Sequence, residues 1–272
     1  MLLRKYRPQP PLSNLVDCLW YAEGANGSHA QERLLPNGES SVIFDLRNQP
    51  IRVYDAQNVH RFDMYSSAIF SGARSDCFVI DTDQQERVLG VQFRPGGAFP
   101  FFRMPASEIA SNSFSLDDLW PREAEHIRDR LMCASSLCEL FSTLEHALLA
   151  QLFRPPALHP AVSFAVLQLG TRAPAFRVRD VVDRVGLSSR RFIQLFEDQI
   201  GLTPKVFQRV RRFQSVLRTL HADSADDMAG LALRCGYYDQ AHFINDFKIF
   251  SGMTPGEYVA VATPHLNHVP LK

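Results

Sequence analysis

The sequence predicts an α+β protein, in which a β-rich, barrel-like N-terminal domain is followed by helices and then by an all-α C-terminal domain. Short runs rich in Val, Ile and Phe, separated by turn residues, fill the chain up to about residue 105. Helical spacing of apolar residues takes over from residue 106. Three prolines between Phe153 and Ala161 then interrupt it, because proline lacks a backbone N–H and ends an incoming helix.

The elements before these prolines can be placed on the sequence. The runs "SSVIFDL", "AIFSGA", "DCFVID" and "RVLGVQF" are predicted strands, and Asn37-Gly38 suits the positive φ angles of a tight turn. A helix is predicted from the spacing of Leu137, Leu140, Phe141, Leu144, Leu148 and Leu149. We therefore expect one domain over 1–153 (helical over 106–153), a linker over 154–159, a second domain over 160–262 and a tail over 263–272.

Composition and charge narrow the class of protein. No apolar run approaches the ~18 residues of a membrane span, and the N-terminus lacks the apolar core and cleavage site of a secretion signal. Residues 154–272 hold 15 Lys and Arg against 10 Asp and Glu, whereas the first 153 residues hold 14 against 19. A basic half joined to an acidic half is typical of a nucleic-acid module tethered to another domain. A cytoplasmic protein without a membrane partner is therefore expected.

The sequence offers no pattern for a metal or a cofactor. The five cysteines are scattered without a Cys-x-x-Cys pair, so reduced and mostly buried thiols are expected. The nine histidines contain neither His-x-His nor His-Glu-x-x-His, and no phosphate-binding glycine loop occurs. We expect no cofactor, no metal and no catalytic residue.

A repeat distinguishes the C-terminal part. "GLTPKVF" (201–207) returns as "GMTPGEY" (252–258), and the preceding residues agree in their apolar period. Gly186 and Gly236 lie fifty positions apart, whereas Phe192 and Phe243 lie fifty-one apart, so the second turn is one residue longer. The sequence therefore predicts two equivalent units, the first unit at about 178–200 and the second unit at about 226–251.

Each unit is predicted to be a helix, a tight turn and a second helix. Gly186 follows the last turn of a helix, where a left-handed C-cap favours glycine. Ser188 or Ser189 can cap the next helix, and Asp239 can do so in the second unit. Gly201 and Gly252 are predicted to end the second helices in the same way. Thr203 and Thr254, each followed by a proline (Pro204 and Pro255) at a helix's first position, are predicted to start the helices that follow.

The second helix of each unit carries a polar face opposite its phenylalanines. Arginine suits guanine, glutamine suits adenine, and an apolar side chain can meet a thymine methyl group. For any single side chain the alternative is an ordinary solvated face, but an exposed isoleucine beside an amide on both helices favours base reading. The predicted contacts are Ser189, Arg190, Arg191, Ile193, Gln194, Gln240, His242, Ile244, Asn245 and Lys248.

One amphipathic helix, at about 203–221, is predicted to join the units. A helix of ~19 residues spans ~28 Å, which suits two reading heads in successive major grooves ~34 Å apart. Its basic residues are predicted to face outward, where they contact phosphates or remain solvated: Lys205, Arg209, Arg211, Arg212 and Arg218. Arg209 and Arg212 join the predicted DNA contacts.

Residues 160–259 resemble the DNA-binding domain of the AraC/XylS family of bacterial transcription regulators. The run "GYYDQAHFINDFKIFSGMTP" is the most specific part of this resemblance. It implies a seven-helix fold of two helix-turn-helix subdomains, with Arg190, Ile193, Gln194, Gln240, His242 and Asn245 at base-reading positions. Glu197 departs from the family pattern, which has a basic or neutral residue there; it reads a cytosine amino group or weakens a phosphate contact.

The first half resembles, with lower specificity, the N-terminal domain of a group of uncharacterised regulators of this family. The runs "LLPNGESSVIFDL" and "GVQFRPGGAFPFF" carry the likeness. It implies a domain for sensing or dimerisation and leaves the effector unknown. The predicted partners are double-stranded DNA, a small-molecule effector, a second copy of the chain and, for an activator, RNA polymerase.

Two function classes lead at this point, and an effector-free interaction scaffold is a third possibility. The first is a non-enzymatic transcription regulator; the second is a DNA-modifying or repair enzyme that carries the same DNA-binding module and needs a reactive cysteine. Cys18 and Cys77 each lie beside an acid, which disfavours a thiolate. Arg94 is either an anion contact for an effector or a packing residue of its turn. Trp20, Tyr21 and Trp120 either line an apolar pocket or belong to the core.

Overall fold

The computed structural model describes residues 2–24, 29–170, 176–222 and 227–271. These residues form eleven strands and ten α-helices. The strands are β1 (Leu2–Tyr6), β2 (Val16–Glu23), β3 (Gln31–Leu34), β4 (Ser41–Asp45), β5 (Ile51–Asp55), β6 (Phe62–Tyr65), β7 (Ala68–Ser71), β8 (Phe78–Asp81), β9 (Arg87–Phe93), β10 (Ser113–Ser115) and β11 (His268–Pro270). The helices are α1 (Leu116–Leu119), α2 (Glu123–Cys133), α3 (Leu137–Ala150), α4 (Pro160–Leu169), α5 (Val178–Val185), α6 (Ser189–Ile200), α7 (Pro204–Ala222), α8 (Met228–Arg234), α9 (Gln240–Ser251) and α10 (Pro255–Val261).

Two antiparallel sheets make up the N-terminal part. The larger sheet has the order β1-β2-β9-β4-β7-β10, and the smaller has the order β11-β3-β8-β5-β6. The predicted strands around residues 41–45, 68–71, 78–81 and 87–93 are confirmed. The sheets stay open rather than closing into a barrel, because each keeps its own two edges. The β-rich prediction is therefore confirmed, and its barrel-like detail is corrected.

Side-chain alternation divides the larger sheet into two faces. Val42, Phe44, Phe70 and Val91 point into a core that α1, α2 and α3 complete. The opposite face turns toward the smaller sheet, where Ile51, Val53 and Ile69 form a smaller cluster. The first α-helix begins at Leu116, later than the predicted residue 106, because a 3₁₀ helix stands at Ala106–Glu108 and residues 113–115 pair with β7 as a strand.

Seven of the described helices, α4 to α10, follow the prolines, in agreement with the resemblance. α5 and α6 form the first unit, α7 is the long joining helix, and α8 and α9 form the second unit. Residue 226, the predicted first residue of the second unit, lies outside the described residues. Two separate cores hold the units together, one around Phe192 and Phe196 and one around Phe243 and Phe247.

The C-terminal tail has a structure that the sequence did not predict. Residues 268–270 form β11, which pairs antiparallel with β3 at the edge of the smaller sheet. Tyr258 in α10 donates a hydrogen bond to the Leu266 carbonyl (2.9 Å) and so fixes the path of the chain toward that strand. The segment after α10 therefore returns to the smaller sheet of the N-terminal part.

Candidate nucleic-acid interface

The two units share one backbone design. Gly186 and Gly236 both adopt left-handed conformations, with φ of 68° and 78°. The Ser188 side chain accepts a hydrogen bond from the Arg191 N–H (3.3 Å), and Asp239 accepts one from the His242 N–H (2.7 Å). The predicted caps are therefore confirmed, as is the extra residue in the second turn, since Asp239 lies three residues after its glycine and Ser188 two.

Phenylalanines fix which face of each second helix is buried. Phe192 and Phe196 of α6, like Phe243 and Phe247 of α9, have no exposed surface. The ring of Phe196 packs edge-on against Phe207 of α7 at 5.6 Å, and that of Phe247 packs against Phe213 of α7 at 5.2 Å. Because both helices turn their aromatic face toward α7, their polar faces are left toward solvent.

The structure brings the predicted contacts of the first unit together on one exposed face. Ser189, Arg190, Arg191 and Gln194 are exposed, and Ile193 keeps 38% of its surface accessible. Arg190, Arg191 and Gln194 border one shallow depression. The Gln194 amide N–H donates to Asp198 (2.8 Å), a contact that the sequence reasoning missed. The long cationic side chains of this face are therefore available to a ligand, with Gln194 oriented by its neighbour.

The second unit presents a comparable face. Gln240, His242, Asn245 and Lys248 are exposed, whereas Ile244 is half-buried against the core of the unit. The His242 ring lies edge-on to Tyr237 at 5.3 Å, and its Nε2 is 4.0 Å from Asp246. The nine other predicted contacts on the two second helices therefore lie on exposed faces, and Ile244 lies at the margin of the core.

Arg209 and Arg212 of α7 do not lie on the exposed polar face of either second helix; both pack against residues of the second unit. Arg209 donates to the buried carboxylate of Asp246 on α9 (2.7 Å), and its guanidinium lies 5.1 Å from the Phe250 ring centre. The hydrogen bond to Asp246 raises the pKa of Arg209. Arg212 lies over the Tyr237 ring at 5.0 Å. The prediction that these side chains face outward is wrong, because both are half-buried, Arg209 against an acid of α9 and Arg212 against Tyr237, and amphipathic spacing does not show either partner.

The other basic residues of α7 divide in the same way. Arg211 forms an ion pair with Glu39 of the N-terminal part at 3.0 Å, so its predicted outward position is also wrong. Arg218 is half-buried and Lys205, in the first turn, is exposed. Four of the five predicted cations of the joining helix are therefore half-buried, and only Lys205 is exposed.

One exposed aromatic residue was missed. Tyr238 precedes the cap of α9 and keeps 86% of its surface accessible, the largest value among the exposed large apolar residues. It occupies the lengthened turn, so the inserted residue in the repeat was the signal that could have found it. Glu197, which departs from the family pattern, is half-buried where the second unit has the exposed Lys248.

The expectation of mostly buried thiols is wrong, since Cys133 and Cys138 are exposed and Cys77 is half-buried. The environments of Cys18 and Cys77 do not favour alkyl-transfer chemistry. Burial raises the pKa of the Cys18 and Cys77 thiols and opposes the thiolate that such chemistry needs. Arg94 donates to the Ser13 carbonyl (3.0 Å) and packs its turn. Tyr21 and Trp120 belong to the large core, whereas Trp20 lines a cavity between the sheets. Along the described ranges, no helix is long and apolar enough to cross a bilayer.

Comparisons with known proteins bear on both halves. Residues 4–115 match the model of a domain of unknown function (DUF6597), and residues 181–260 match that of a helix-turn-helix domain. A protein of Haemophilus influenzae, called an uncharacterized HTH-type transcriptional regulator, is 29% identical over 83 residues. That stretch covers 30% of this chain and 28% of the relative, so the chain matches under a third of its length.

Solved structures align with this chain at low identity and low TM-score. ToxT from Vibrio cholerae aligns over 96% of this chain and 98% of its own, with 10% identity and a TM-score of 0.45. The C-terminal domain of AraT, a response regulator from Geobacillus stearothermophilus, aligns over 40% of this chain and 90% of its own, with 19% identity and a TM-score of 0.36. The sequence matches and the paired units therefore show that this chain joins an N-terminal domain of the DUF6597 type to a C-terminal helix-turn-helix domain.

Proposed function

We propose that the protein is a sequence-specific DNA-binding transcription regulator. The observation that carries the proposal is that both second helices bury their phenylalanines against α7 and expose polar side chains on the opposite face. A recognition helix needs this arrangement, because its outward residues must reach base edges in the major groove. The linker would lie at 154–159, between a regulatory domain and the DNA-binding domain.

The exposed side chains suit different parts of the duplex. Arg190 matches the paired acceptors of guanine, and Gln194 and Asn245 match the edge of adenine. Ile193 is placed to meet a thymine methyl group. Ser189, Arg191, Gln240, His242 and Lys248 supply further donors for bases and phosphates, whereas Arg209 and Arg212 support α9 from behind. The two units would thereby read two neighbouring segments of one site.

The joining helix sets the separation of the two units. α7 has 19 residues, so it is about 28 Å long at 1.5 Å per residue. Successive major grooves on one side of a duplex are about 34 Å apart. We propose that the first and second units occupy successive grooves, in a cytoplasmic protein whose N-terminal domain adjusts binding through a small molecule or a second copy of the chain. If it activates transcription, RNA polymerase is the further partner.

Salt dependence tests the DNA-binding proposal on the full-length chain, which retains the contacts of β11. About six phosphate contacts give a slope near −5 for log affinity against log salt concentration. A matched Arg190→Ala, Asn245→Ala double variant should lose discrimination between a selected duplex and random DNA and keep most of that slope. A flat salt dependence, or no binding at low salt, would contradict the proposal.

A further inference from the structure

A cavity of about 230 Å³ lies between the two sheets and is used by neither unit. Its walls are largely apolar and come from both sheets, with Ile43 and Ile69 on the larger one and Val53 and Phe78 on the smaller one. An apolar cavity of about 150 Å³ is enough to admit benzene. The space between the sheets therefore suits a molecule with one ring and a short substituent.

Trp20 gives this cavity a flat wall. A Cβ added at Gly90, on the neighbouring strand β9, would lie 2.2 Å from the Trp20 indole. Any side chain at this position would push the indole away, so the glycine allows the ring to lie across the sheet. A flat aromatic wall favours a ring stacked or packed edge-on against it.

Arg74 gives the cavity a cationic corner. The guanidinium lies 4.7 Å from the Phe78 ring centre, and its Nη2 donates to Asp76 (3.2 Å), which is itself more than half exposed. The Arg74 Nε is buried and has no hydrogen-bond partner among the described residues. A buried N–H without an acceptor is costly, and arginine forms strong charge-assisted hydrogen bonds with carboxylates.

The wall opposite the sheets is held by the joining helix. Glu39, Pro36 and Asn267 all line the cavity. Arg211 of α7 donates to Glu39 (3.0 Å), and the Gln214 amide donates to both the Pro36 carbonyl and the Asn267 side chain, each at 2.8 Å. A molecule that shifts these wall residues therefore acts directly on the helix that separates the two units.

The C-terminal strand completes this connection. Asn267 leads into β11, where His268 is hydrogen-bonded to the buried Glu32 of β3 (2.8 Å). His268 also lines the cavity. The tail that follows the DNA-binding domain is thus part of the cavity wall, so the cavity is linked to the second unit through α10 and this tail.

We propose that this cavity binds a small carboxylate with an apolar body of about one ring, and that its occupancy alters DNA binding through the contacts of Arg211 and Gln214. Only the effect on DNA binding rests on the proposed function; the binding of the carboxylate does not. The carboxylate accepts from Arg74, the ring packs beside Trp20, and the wall at Glu39 and Asn267 moves with α7.

Calorimetric titration of the full-length protein with phenylacetate tests the site without DNA. Phenylacetate should bind, and its neutral isostere phenylacetamide should bind at least tenfold more weakly. Arg74→Gln should weaken phenylacetate to a similar degree, whereas Arg61→Gln, outside the cavity, should change nothing. Ile69→Trp should fill the cavity and abolish binding, with its thermal unfolding showing that the chain is folded.

Each opposite result overturns the site. No binding of phenylacetate, equal binding of the amide, or unchanged affinity in Arg74→Gln would contradict the carboxylate assignment. Retained binding in a folded Ile69→Trp protein would place the ligand elsewhere. All these results are independent of DNA, so a failure of the DNA-binding proposal would leave them interpretable.

Affinity for a selected duplex, measured with and without saturating phenylacetate, tests the coupling. We expect a change of at least fivefold, in the usual range for linked sites. Gln214→Leu and Arg211→Gln should still bind phenylacetate and should reduce that change toward unity. An unchanged response in both variants, or no response in the wild-type chain that binds both ligands, would overturn the coupling.

Discussion

The first and second units share one helical frame, but different side-chain contacts attach them to the rest of the protein. In both, a left-handed glycine ends the first helix, a side-chain cap starts the second, and two fully buried phenylalanines face α7. The position of Leu195 in the first unit is taken in the second by Asp246, whose carboxylate is bound by Arg209. The frame depends on residues that the repeat preserves, and the attachment depends on those that it changes.

The units also differ in how they meet the N-terminal part. α6 ends against a 3₁₀ turn at Ala106–Glu108, where a Cβ added to Gly201 would lie 3.1 Å from the Ala106 carbonyl oxygen. α9 ends where Arg33 donates to the Ser251 carbonyl (3.1 Å). The second unit alone is followed by a strand in the smaller sheet. The first unit thus meets the N-terminal part by close packing, whereas the second adds polar contacts to the packing of Leu35 against its core.

The largest expected effect concerns the fully buried phenylalanines that the two units share. Phe196→Ala and Phe247→Ala each empty a fully buried site, so each should lower the free energy of unfolding by about 3–5 kcal/mol. Denaturant unfolding of both variants checks this, with the exposed Phe62→Ala as the control. A loss in one unit much smaller than in the other would contradict the equivalence of the two cores.

The next effect is specific to the attachment of the second unit. Burial by itself raises the pKa of Glu32, but hydrogen bonds from His268, Gln85 and His29 outweigh it and hold the pKa at about 2. A lowered carboxyl pKa stabilises the fold above the pKa of the unfolded chain, near 4.3. This contribution, about 3 kcal/mol, is lost as the pH falls from about 5 toward 2.

Glu32→Gln removes that contribution. The variant should be less stable than the wild type at pH 7, and the difference should shrink as the pH approaches 2. Urea unfolding at several pH values measures it, and Glu86→Gln, a largely exposed acid, is the matched control. A Glu32→Gln difference that stays constant with pH would show that this carboxylate is not what fixes β11.

Breaking the buried ion pair sharpens the contrast between Asp246 and Leu195. Asp246→Asn leaves the Arg209 guanidinium without its charged partner, and we expect a loss of about 2–3 kcal/mol, below the range for fully buried pairs because Arg209 is partly exposed. Thermal unfolding measures the loss. Asp198→Asn in the first unit, where the acid accepts a hydrogen bond from the neighbouring Gln194 amide, should cost under about 1 kcal/mol. Equal losses of stability in Asp246→Asn and Asp198→Asn would contradict the claim that a buried acid attaches the second unit and not the first.

The smallest effects concern DNA reading. Arg190→Ala and Asn245→Ala should each cost about 1–3 kcal/mol on a selected duplex and little on random DNA. Competition binding of both variants with both duplexes measures this. If one variant lost affinity equally on the two duplexes, that unit would contact DNA without reading bases.

Most of the frame could be predicted from the sequence because its signals are local. Glycine with positive φ, a capping side chain and proline at a helix start act over a few residues, so Gly186, Asp239 and Pro255 placed their helices correctly. Long-range partners leave no such signal. The return of β11 to β3 and the inward turn of Arg209 depend on residues far away in the sequence, and spacing alone could not show them.

The central claim is that the two units read one duplex together, and a major-groove footprint of the full-length protein tests it most directly. On a selected site, base methylation should interfere with binding in two separate patches, about 10–10.5 base pairs apart from centre to centre. Arg190→Ala should weaken one patch and Asn245→Ala the other. A single patch, or two patches that both respond to the same variant, would contradict the account.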